Sequence, residues 1–267
     1  ALFSMTVVLG PVMGPLIGGW LTENLSWHYA FFVNVPVCAI LLLLLFIGLP
    51  HEKPKWEYLT DADWAGILGL ILGLGGLTVV LEEGHHEEWF ESSLIRWLTV
   101  VTIIGFACLI YGQVKASKPV LKLRLLLNRQ FASVAIMALA LGMVMYGSTY
   151  VIPQFLAIIS DYNAFQTGLV IFWMGVPAFL LMPVLPLMIR KVDIRIAVGT
   201  GMLLMAISCF VSTSLTAESG GAVFTESQLI RGTGMILAMM FLNQATVASV
   251  AKEDAGDASG IFNAARN

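Results

Sequence analysis

The chain has 267 residues, of which 58% are hydrophobic and only 12% are charged, and its formal net charge is −3. A soluble domain is nearer half apolar and a quarter charged, because its surface must be covered with polar groups. This composition excludes a soluble globular protein. The apolar residues come in blocks of about 20, the length that a helix needs to cross ~30 Å of hydrocarbon. The sequence therefore predicts a multi-pass membrane protein.

Eight membrane-spanning segments are predicted from these blocks. In lipid, open sheets leave backbone groups unsatisfied, and no alternating barrel strands are visible, so the spans must be helices. The predicted fold class is an all-α polytopic transmembrane helix bundle. The spans run over residues 1–22, 31–49, 64–81, 94–114, 131–156, 164–189, 196–215 and 227–250.

Lys and Arg residues are divided unevenly between the connections of these spans. One set of alternate connections holds 12 of the 14 basic residues, and the other set holds none, with Arg96 and Arg231 just inside spans. Basic residues collect on the cytoplasmic side of a membrane protein. The first span is therefore expected to run outward, and the acidic segment 82–91 to lie on the outer side.

Two connections have unusual compositions. The basic and partly apolar segment 115–130 fits either a positive-inside anchor, which we favour, or an amphipathic helix on the cytoplasmic leaflet. The outer segment 82–88 contains two His and four Glu residues. It lacks the fixed spacing of a zinc site, so we expect no metal there. Cys38, Cys108 and Cys209 lie in apolar runs and are expected to form no disulfide.

The first span contains the most informative motif, Gly-Pro-Val-Met-Gly-Pro-Leu-Ile-Gly-Gly over residues 10–19. Gly10, Gly14 and Gly18 recur every four residues, so they lie on one helix face where a neighbouring helix can approach closely. Pro11 and Pro15 each remove an intrahelical hydrogen bond and favour a bend. The combination indicates more than a generic helix contact, for which one pair of small residues suffices.

This motif resembles the antiporter motif in the fifth helix of drug exporters of the major facilitator superfamily. The matching positions are Gly10, Gly14, Pro15, Gly18 and Gly19, while the family's first glycine would fall at Ala1. The resemblance implies that this bent helix seals the interface between the two halves of a transporter on its outer side.

Further segments are similar to the 14-span EmrB/QacA family within that superfamily. They are Trp27–Pro36, Asp63–Gly66, Asn128–Phe131, Val151–Gln154 and the arginine-containing Gln228–Gly234. On this resemblance the eight spans are helices 5–12 of 14, and we expect a truncated chain. Residues 1–49 would end the N-terminal six-helix half, residues 50–115 would form a linker region with two extra transmembrane helices, and residues 116–267 would form most of the C-terminal half.

Polar side chains at helical spacing mark two faces that should avoid lipid. Together with Trp173 and Met174 they are our candidates for a substrate cavity, because aromatic and Met side chains repack around varied apolar compounds. Ordinary helix packing is the alternative. Arg231, expected about one turn inside its span, can face the cavity or extend to the interface. The two faces consist of Gln228, Arg231, Met235, Met239 and Asn243, and of Tyr146, Tyr150 and Gln154.

Acidic residues are absent from the middle of every predicted span, although the chain has 17 Asp and Glu residues. Carboxylates within a membrane are the usual proton carriers, so no coupling acid is visible in this chain. In the resembled family that acid lies in the first helix. We therefore expect that this chain alone does not transport.

The function that the resemblance implies is proton-driven export of amphipathic drugs or toxic compounds by alternating access, from the cytoplasmic (inner) membrane. The implied partners are small amphipathic substrates, protons and membrane lipid. Resembled Gram-negative members work with a periplasmic adaptor and an outer-membrane channel, which makes those proteins candidate partners. No cofactor, nucleic acid or enzymatic activity is implied.

Three other functions are alternatives to drug export. An exporter of a defined metabolite or fatty-acid-like compound would use the same fold. A membrane-embedded enzyme or sensor would need catalytic residues clustered at one membrane face, whereas His28, His51, His85 and His86 are scattered over both sides. The Pro and Gly hinges and the exporter motif argue against a simple channel.

Overall fold

A computed structural model describes residues 2–49, 62–116, 119–181, 183–214, 216, 219 and 221–267, with side chains from residue 13 onward. Predictions that concern Lys53, Lys55, Lys118 or His51 lie outside these described residues, as do the side-chain surroundings of Gly10 and Pro11. Over the described ranges the regular structure is entirely helical, without β-strands.

The helices follow the predicted spans in chain order. Short 3₁₀ turns at Trp89–Glu91, Leu123–Leu127 and Lys252–Asp254 lie between some of them. The α-helices of the described residues are α1 (Leu2–Asn24), α2 (Trp27–Phe32), α3 (Asn34–Gly48), α4 (Trp64–Glu83), α5 (Ser93–Lys115), α6 (Arg129–Ile158), α7 (Ala164–Leu181), α8 (Leu185–Lys191), α9 (Ile194–Ser212), α10 (Gly221–Ala248) and α11 (Ala255–Arg266).

Six stretches of the described chain are helical, long and apolar enough to cross a membrane. They are Trp27–Gly48, Trp64–Glu83, Ser93–Lys115, Arg129–Ile158, Ala164–Leu181 and Ile194–Ser212. The predicted fold class, an all-α multi-pass membrane bundle, is confirmed.

Two predicted spans have different bounds in the structure. The span expected over 164–189 is divided, because α7 ends at Leu181 and α8 begins at Leu185. Pro183 and Pro186 account for the division, since proline lacks an N–H group and its ring clashes with the preceding helical turn. The span expected from residue 227 begins at Gly221 instead. The charged Glu226 lowers the hydropathy of this part of the sequence, so the apolar pattern did not indicate the first turns of α10.

The described residues divide into two compact units. One contains segments 1–50, 130–251 and 262–267, and the other contains segments 51–129 and 252–261. In the first unit, α6, α7, α9 and α10 share a hydrophobic core with contributions from α8 and α11. Its fully buried side chains include Leu141, Met205, Phe241 and Phe262.

In the second unit, α4 and α5 pack along a row of small residues. A Cβ atom added to Gly69 would lie 2.7 Å from the Leu109 Cα, and one added to Gly105 would lie 2.8 Å from the Gly73 Cα. At such distances only glycine fits, because real Cβ atoms need more than 3.0 Å. The two helices therefore contact each other backbone to backbone, as small residues permit in membrane proteins.

The Asp63–Gly66 segment begins α4 with a buried cap. Asp63 is 8% exposed. Its Oδ1 accepts a hydrogen bond from the Gly66 N–H at 2.8 Å, and its Oδ2 accepts one from the Val120 N–H at 3.2 Å. A Cβ atom on Gly112 of α5 would lie 2.6 Å from Oδ1. The Asp and Gly residues of this segment thus have a structural role: the carboxylate accepts from one N–H group at the start of α4 and from one in the connection after α5, and the glycines leave room for it.

Candidate functional site

The helix that contains the Gly/Pro motif, α1, packs directly against α7. A Cβ atom added to Gly19 would collide with the Ala164 carbonyl oxygen and lie 3.1 Å from the Phe165 Cα. Reciprocally, a Cβ atom on Gly168 would collide with the Pro15 carbonyl oxygen and lie 3.3 Å from the Leu16 Cα. Each helix thus supplies one glycine that admits the backbone of the other.

The glycines that make this contact are not the ones that the four-residue repeat singled out. No atom of the described residues lies within 4 Å of a Cβ atom added to Gly14 or Gly18, whereas Gly19 is buried. Consecutive residues of an α-helix point about 100° apart. The face that contacts α7 is therefore that of Pro15 and Gly19. It is rotated by one residue, about 100°, from the face of Gly14 and Gly18. Repeat spacing identifies a face but not its neighbour.

An open, mainly apolar groove of about 450 Å³ runs beside this contact. Tyr162 lines this groove and also contacts the start of α10. Its hydroxyl oxygen accepts a hydrogen bond from the Gly221 N–H at 2.5 Å. The preceding Asp161 has a left-handed φ of 51°, which turns the chain between α6 and α7. The other lining residues are Pro15, Gly18, Gly19, Thr22, Pro153, Ala157, Ala164, Thr167, Gly168 and Ile171.

Arg231 is deeply buried, at 2% exposure. Its Nη1 donates to the Gln228 Oε1 at 3.1 Å, and its Nη2 donates to the Ser212 Oγ of α9 at 3.2 Å. The expectation of a position about one turn inside the helix was wrong, because α10 starts at Gly221. Ten residues at 1.5 Å each put the arginine roughly 15 Å along the helix. Its side chain is sequestered rather than extended to an interface.

A small cavity of about 10 Å³ lies beside Gln228 and Arg231. Met174, another predicted cavity residue, lines it, and α7 and α10 are in close contact there, because a Cβ atom on Gly232 would collide with the Met174 carbonyl oxygen. Three of the candidate residues are thus brought together. The remaining lining residues are Ser148, Thr149, Ile152 and Ile171.

The other cavity candidates lie elsewhere. Met235 packs against the core. Asn243 is exposed and its amide donates to the carbonyl oxygen of Met239 on its own helix at 2.9 Å. Trp173 is 40% exposed. Each therefore has a different environment from Arg231.

The predicted polar face of α6 does not adjoin the arginine either. Tyr146 is 46% and Tyr150 66% exposed, and Gln154 is also exposed. The Tyr146 hydroxyl donates to the Asn267 Oδ1 at 2.9 Å. Instead, α6 presents Ser148 and Thr149 to the Arg231 cavity. Sequence reasoning missed this pair, because small hydroxyl residues are common in apolar helices, where they bond to their own backbone.

An ion-paired lysine outside the long helices was also missed. Lys122 Nζ lies 2.5 Å from the Asp254 Oδ1 and 3.2 Å from the Asp257 Oδ2. Hydrogen bonds to these two carboxylates raise the pKa of Lys122 above its ordinary value of 10.5. In the segment predicted as either an anchor or an amphipathic helix, the described residues between the end of α5 and the start of α6 contain one helical element, the 3₁₀ turn Leu123–Leu127. No three His, Cys, Asp or Glu side chains of the described residues come together as a metal site.

Comparison with known proteins agrees with this architecture of membrane-spanning helices. The family model of the Major Facilitator Superfamily matches residues 1–267. The colistin resistance protein EmrB of Acinetobacter baumannii is 30% identical over 266 residues, covering 100% of this chain and 52% of its own length. The probable multidrug resistance protein EmrY of Escherichia coli K12 is 33% identical over 217 residues, covering 81% of this chain and 42% of its own length.

A third relative, the fatty acid resistance protein FarB of Neisseria gonorrhoeae, is 29% identical over 248 residues, covering 92% of this chain and 48% of its own. The chain belongs to the major facilitator superfamily, a family of transporters rather than enzymes, and its likeness to EmrB and EmrY fits the EmrB/QacA type. It spans about half the length of the curated relatives that it matches.

Proposed function

We propose that the full transporter containing this chain exports amphipathic drugs or other toxic compounds by alternating access, driven by protons. Membership of the major facilitator superfamily supports transport as the activity. Two relatives, a colistin resistance protein and a probable multidrug resistance protein, are named for resistance to toxic compounds, which export of those compounds would provide.

The contact between α1 and α7 is the observation that carries this proposal. On the proposed division, α1 belongs to the end of the N-terminal half (residues 1–49) and α7 belongs to the C-terminal half. Alternating access requires a surface between the halves that can separate and close again. Gly19 and Gly168 give a contact without interlocking side chains, and such a contact can open without forcing side chains to change rotamer.

The substrate cavity is proposed to adjoin the face of α10 that contains Gln228 and Arg231. Met174 supplies flexible apolar surface beside it. Tyr146, Tyr150, Gln154, Trp173 and Asn243 are exposed in this chain, so they remain available to face a cavity in the full transporter.

Proton coupling is proposed to depend on an acid outside the described residues. The carboxylates on the described long helices lie near helix ends: Glu23 on α1, Glu82 and Glu83 on α4, and Glu226 in the second turn of α10. A proton carrier for alternating access is expected nearer the middle of the membrane. The proposed location is the cytoplasmic (inner) membrane, with a periplasmic adaptor and an outer-membrane channel as candidate partners.

The test uses the complete reading frame that contains this sequence, expressed in an efflux-deficient strain. Dye efflux from energised cells is measured with and without a protonophore. We expect efflux to collapse when the proton gradient is removed. Efflux that continues at the same rate would contradict proton coupling, and no efflux across a broad panel of dyes and detergents would contradict drug export.

A matched pair of variants then tests the contact. Gly19→Leu places a side chain into the α7 backbone, whereas Gly14→Leu, five residues earlier on α1, enters open space. We expect Gly19→Leu to lower the efflux rate at least about tenfold, as overpacking by 1–3 kcal/mol implies, and Gly14→Leu to lower it much less. Equal losses in the two variants, at equal amounts of protein in the membrane, would contradict the role of this contact.

Export of a defined fatty-acid-like compound is the second candidate function. The relative FarB, named for fatty acid resistance, and the buried cation Arg231 both favour it. A resistance profile limited to acids of one chain length would support this candidate over drug export.

A further inference from the structure

Arg231 is a buried charge without a counter-charge in its described surroundings. The residue is 2% exposed. Among the described residues, no Asp or Glu oxygen lies within 4.0 Å of its guanidinium group, and ion pairs by that criterion are formed only by Lys122. Burying an unpaired charge is costly, so charges inside proteins are normally paired or hydrogen-bonded on all sides. An anionic partner would compensate this charge, and the described residues supply none within that distance.

The guanidinium group keeps one buried nitrogen without a hydrogen-bond partner among the described residues, and the Cys209 side chain of α9 also interacts with the group. Nη1 donates to Gln228 and Nη2 donates one hydrogen to Ser212, but the buried Nε has no hydrogen-bond partner among the described residues. The edge formed by Nε and Nη2 is one that binds a carboxylate through two parallel hydrogen bonds. Of this edge, the Nε hydrogen has no acceptor among the described residues.

The surroundings hold this edge in place. Ser212 donates its own hydroxyl hydrogen to the Ser208 carbonyl oxygen at 2.9 Å, which leaves its lone pairs for Arg231. Gln228, one turn earlier on α10, is 1% exposed and accepts from Nη1. Two polar side chains on two helices thus fix the orientation of the guanidinium group and of its Nε.

The adjoining cavity has the size and the lining of a small polar site. Its volume of about 10 Å³ is the space that one water-sized group needs, and a carboxylate oxygen is of that size. Ser148 and Thr149 of α6 line one side, and Ile171 and Met174 of α7 line another. An oxygen in this cavity would meet a cation and hydroxyl groups, with apolar side chains next to them for an attached hydrocarbon chain.

We propose that Arg231 is an anion site that takes one carboxylate group, supplied either by an amphipathic acid under transport or by a part of the full transporter outside the described residues. The first source rests on the proposed function, and the second does not. Amphipathic cations are not bound at this edge, because the like charge of Arg231 repels them.

The experiment compares three compounds with the same chain and different charge: decanoate, decanol and decylammonium. The complete reading frame is expressed in an efflux-deficient strain, and protection from each compound is measured for the wild type, Arg231→Gln, Arg231→Met and Arg231→Lys. Arg195→Gln is the matched control, because Arg195 is an exposed arginine. Purified proteins are also melted with and without decanoate.

If a substrate supplies the carboxylate, Arg231→Gln and Arg231→Met lose protection from decanoate by about tenfold or more, the loss expected for one charge-assisted pair. Protection from decanol and decylammonium then stays within about twofold of the wild type, and Arg231→Lys retains most decanoate protection. Decanoate raises the melting temperature of the wild type and of Arg231→Lys, but not of Arg231→Gln.

If the transporter itself supplies the carboxylate, Arg231→Gln and Arg231→Met lose protection from all three compounds and melt at a lower temperature, while Arg231→Lys stays near the wild type. Decanoate then changes no melting temperature. The proposal is overturned if Arg231→Met keeps both stability and decanoate protection, or if Lys is as damaging as Gln.

Failure of the proposed function would give a different result from failure of the anion site. A wild type that protects against none of the three compounds contradicts drug export. The melting experiment still decides the anion site in that case, because it requires no transport.

Discussion

The two units of the molecule use glycine in different ways. Between α4 and α5, small residues line a continuous helix pair, and the buried Asp63 at its end has both carboxylate oxygens hydrogen-bonded. Between α1 and α7, single glycines make a local contact, an open groove runs beside it, and a neighbouring helix buries the incompletely bonded Arg231. Fully satisfied packing stabilises one arrangement, whereas a local contact with unsatisfied groups nearby suits a region that changes its arrangement.

The largest effect is expected from filling the α4–α5 pair. A Leu side chain at Gly105 would enter the backbone of α4 at Gly73, where no side chain can move away. Overpacking costs about 1–3 kcal/mol and more where backbone must shift, so we expect Gly105→Leu to lower the melting temperature strongly or to prevent accumulation in the membrane.

Gly75→Leu is the matched control for that change. Gly75 also lies on α4, but a Cβ atom added to it would have no described atom within 4 Å. Its melting temperature should stay close to that of the wild type. If Gly105→Leu and Gly75→Leu had the same melting temperature, the backbone contact would not be what stabilises the α4–α5 pair.

A smaller effect is expected from the cap of α4. Asp63→Ala removes both hydrogen bonds to the Gly66 and Val120 N–H groups, and loss of a helix cap costs about 0.5–2 kcal/mol. Asp63→Asn keeps one oxygen acceptor, so its free energy of unfolding should lie between those of the wild type and Asp63→Ala. Hydrogen exchange at the Gly66 amide should rank the three proteins in the same order. If this amide in Asp63→Ala were protected from exchange as well as in the wild type, the cap would be contradicted.

The smallest effect is expected from Lys122. The ion pairs with Asp254 and Asp257 are solvent-accessible, and such pairs contribute little. Lys122→Met should therefore change the melting temperature slightly at neutral pH. Because the pKa of Lys122 is raised above 10.5 in the folded state, its contribution is present below that value and is lost as the pH rises through the raised pKa.

Melting curves of the wild type and Lys122→Met should accordingly converge above the raised pKa. High salt at neutral pH should bring them together as well, because it screens exposed charges. A difference between the two proteins that persists in both conditions would mean that Lys122 contributes through packing rather than charge.

Sequence reasoning recovered what depends on local pattern. Span-length apolar blocks predicted the long helices, and the Gly/Pro motif predicted a helix with a close neighbour, which the α1–α7 contact provides. The depth of Arg231 was misjudged, because Glu226 lowers the hydropathy of the first turns of α10 and conceals where the helix begins.

Contacts between distant residues were beyond that reasoning. Periodicity gave the face of Gly14 and Gly18, but only the packing of α7 decides that Gly19 is the residue in contact. Lys122 and Asp254 are 132 residues apart in the chain, and no local pattern relates them. The same applies to Ser148 and Thr149 beside Arg231, since the aromatic residues next to them gave the stronger signal.

The most direct test of a moving contact is a reversible cross-link across the groove between α1 and α7. Thr22 and Ala164 line that groove from the two helices. In the complete reading frame, with serine at the native cysteines, Thr22→Cys and Ala164→Cys would be joined by a short bis(methanethiosulfonate) reagent, which forms a disulfide with each thiol and releases methanesulfinate, and dye efflux would be measured. We predict that the cross-linked protein stops exporting and recovers when the link is reduced. Undiminished efflux with the link intact would contradict a contact that opens during transport.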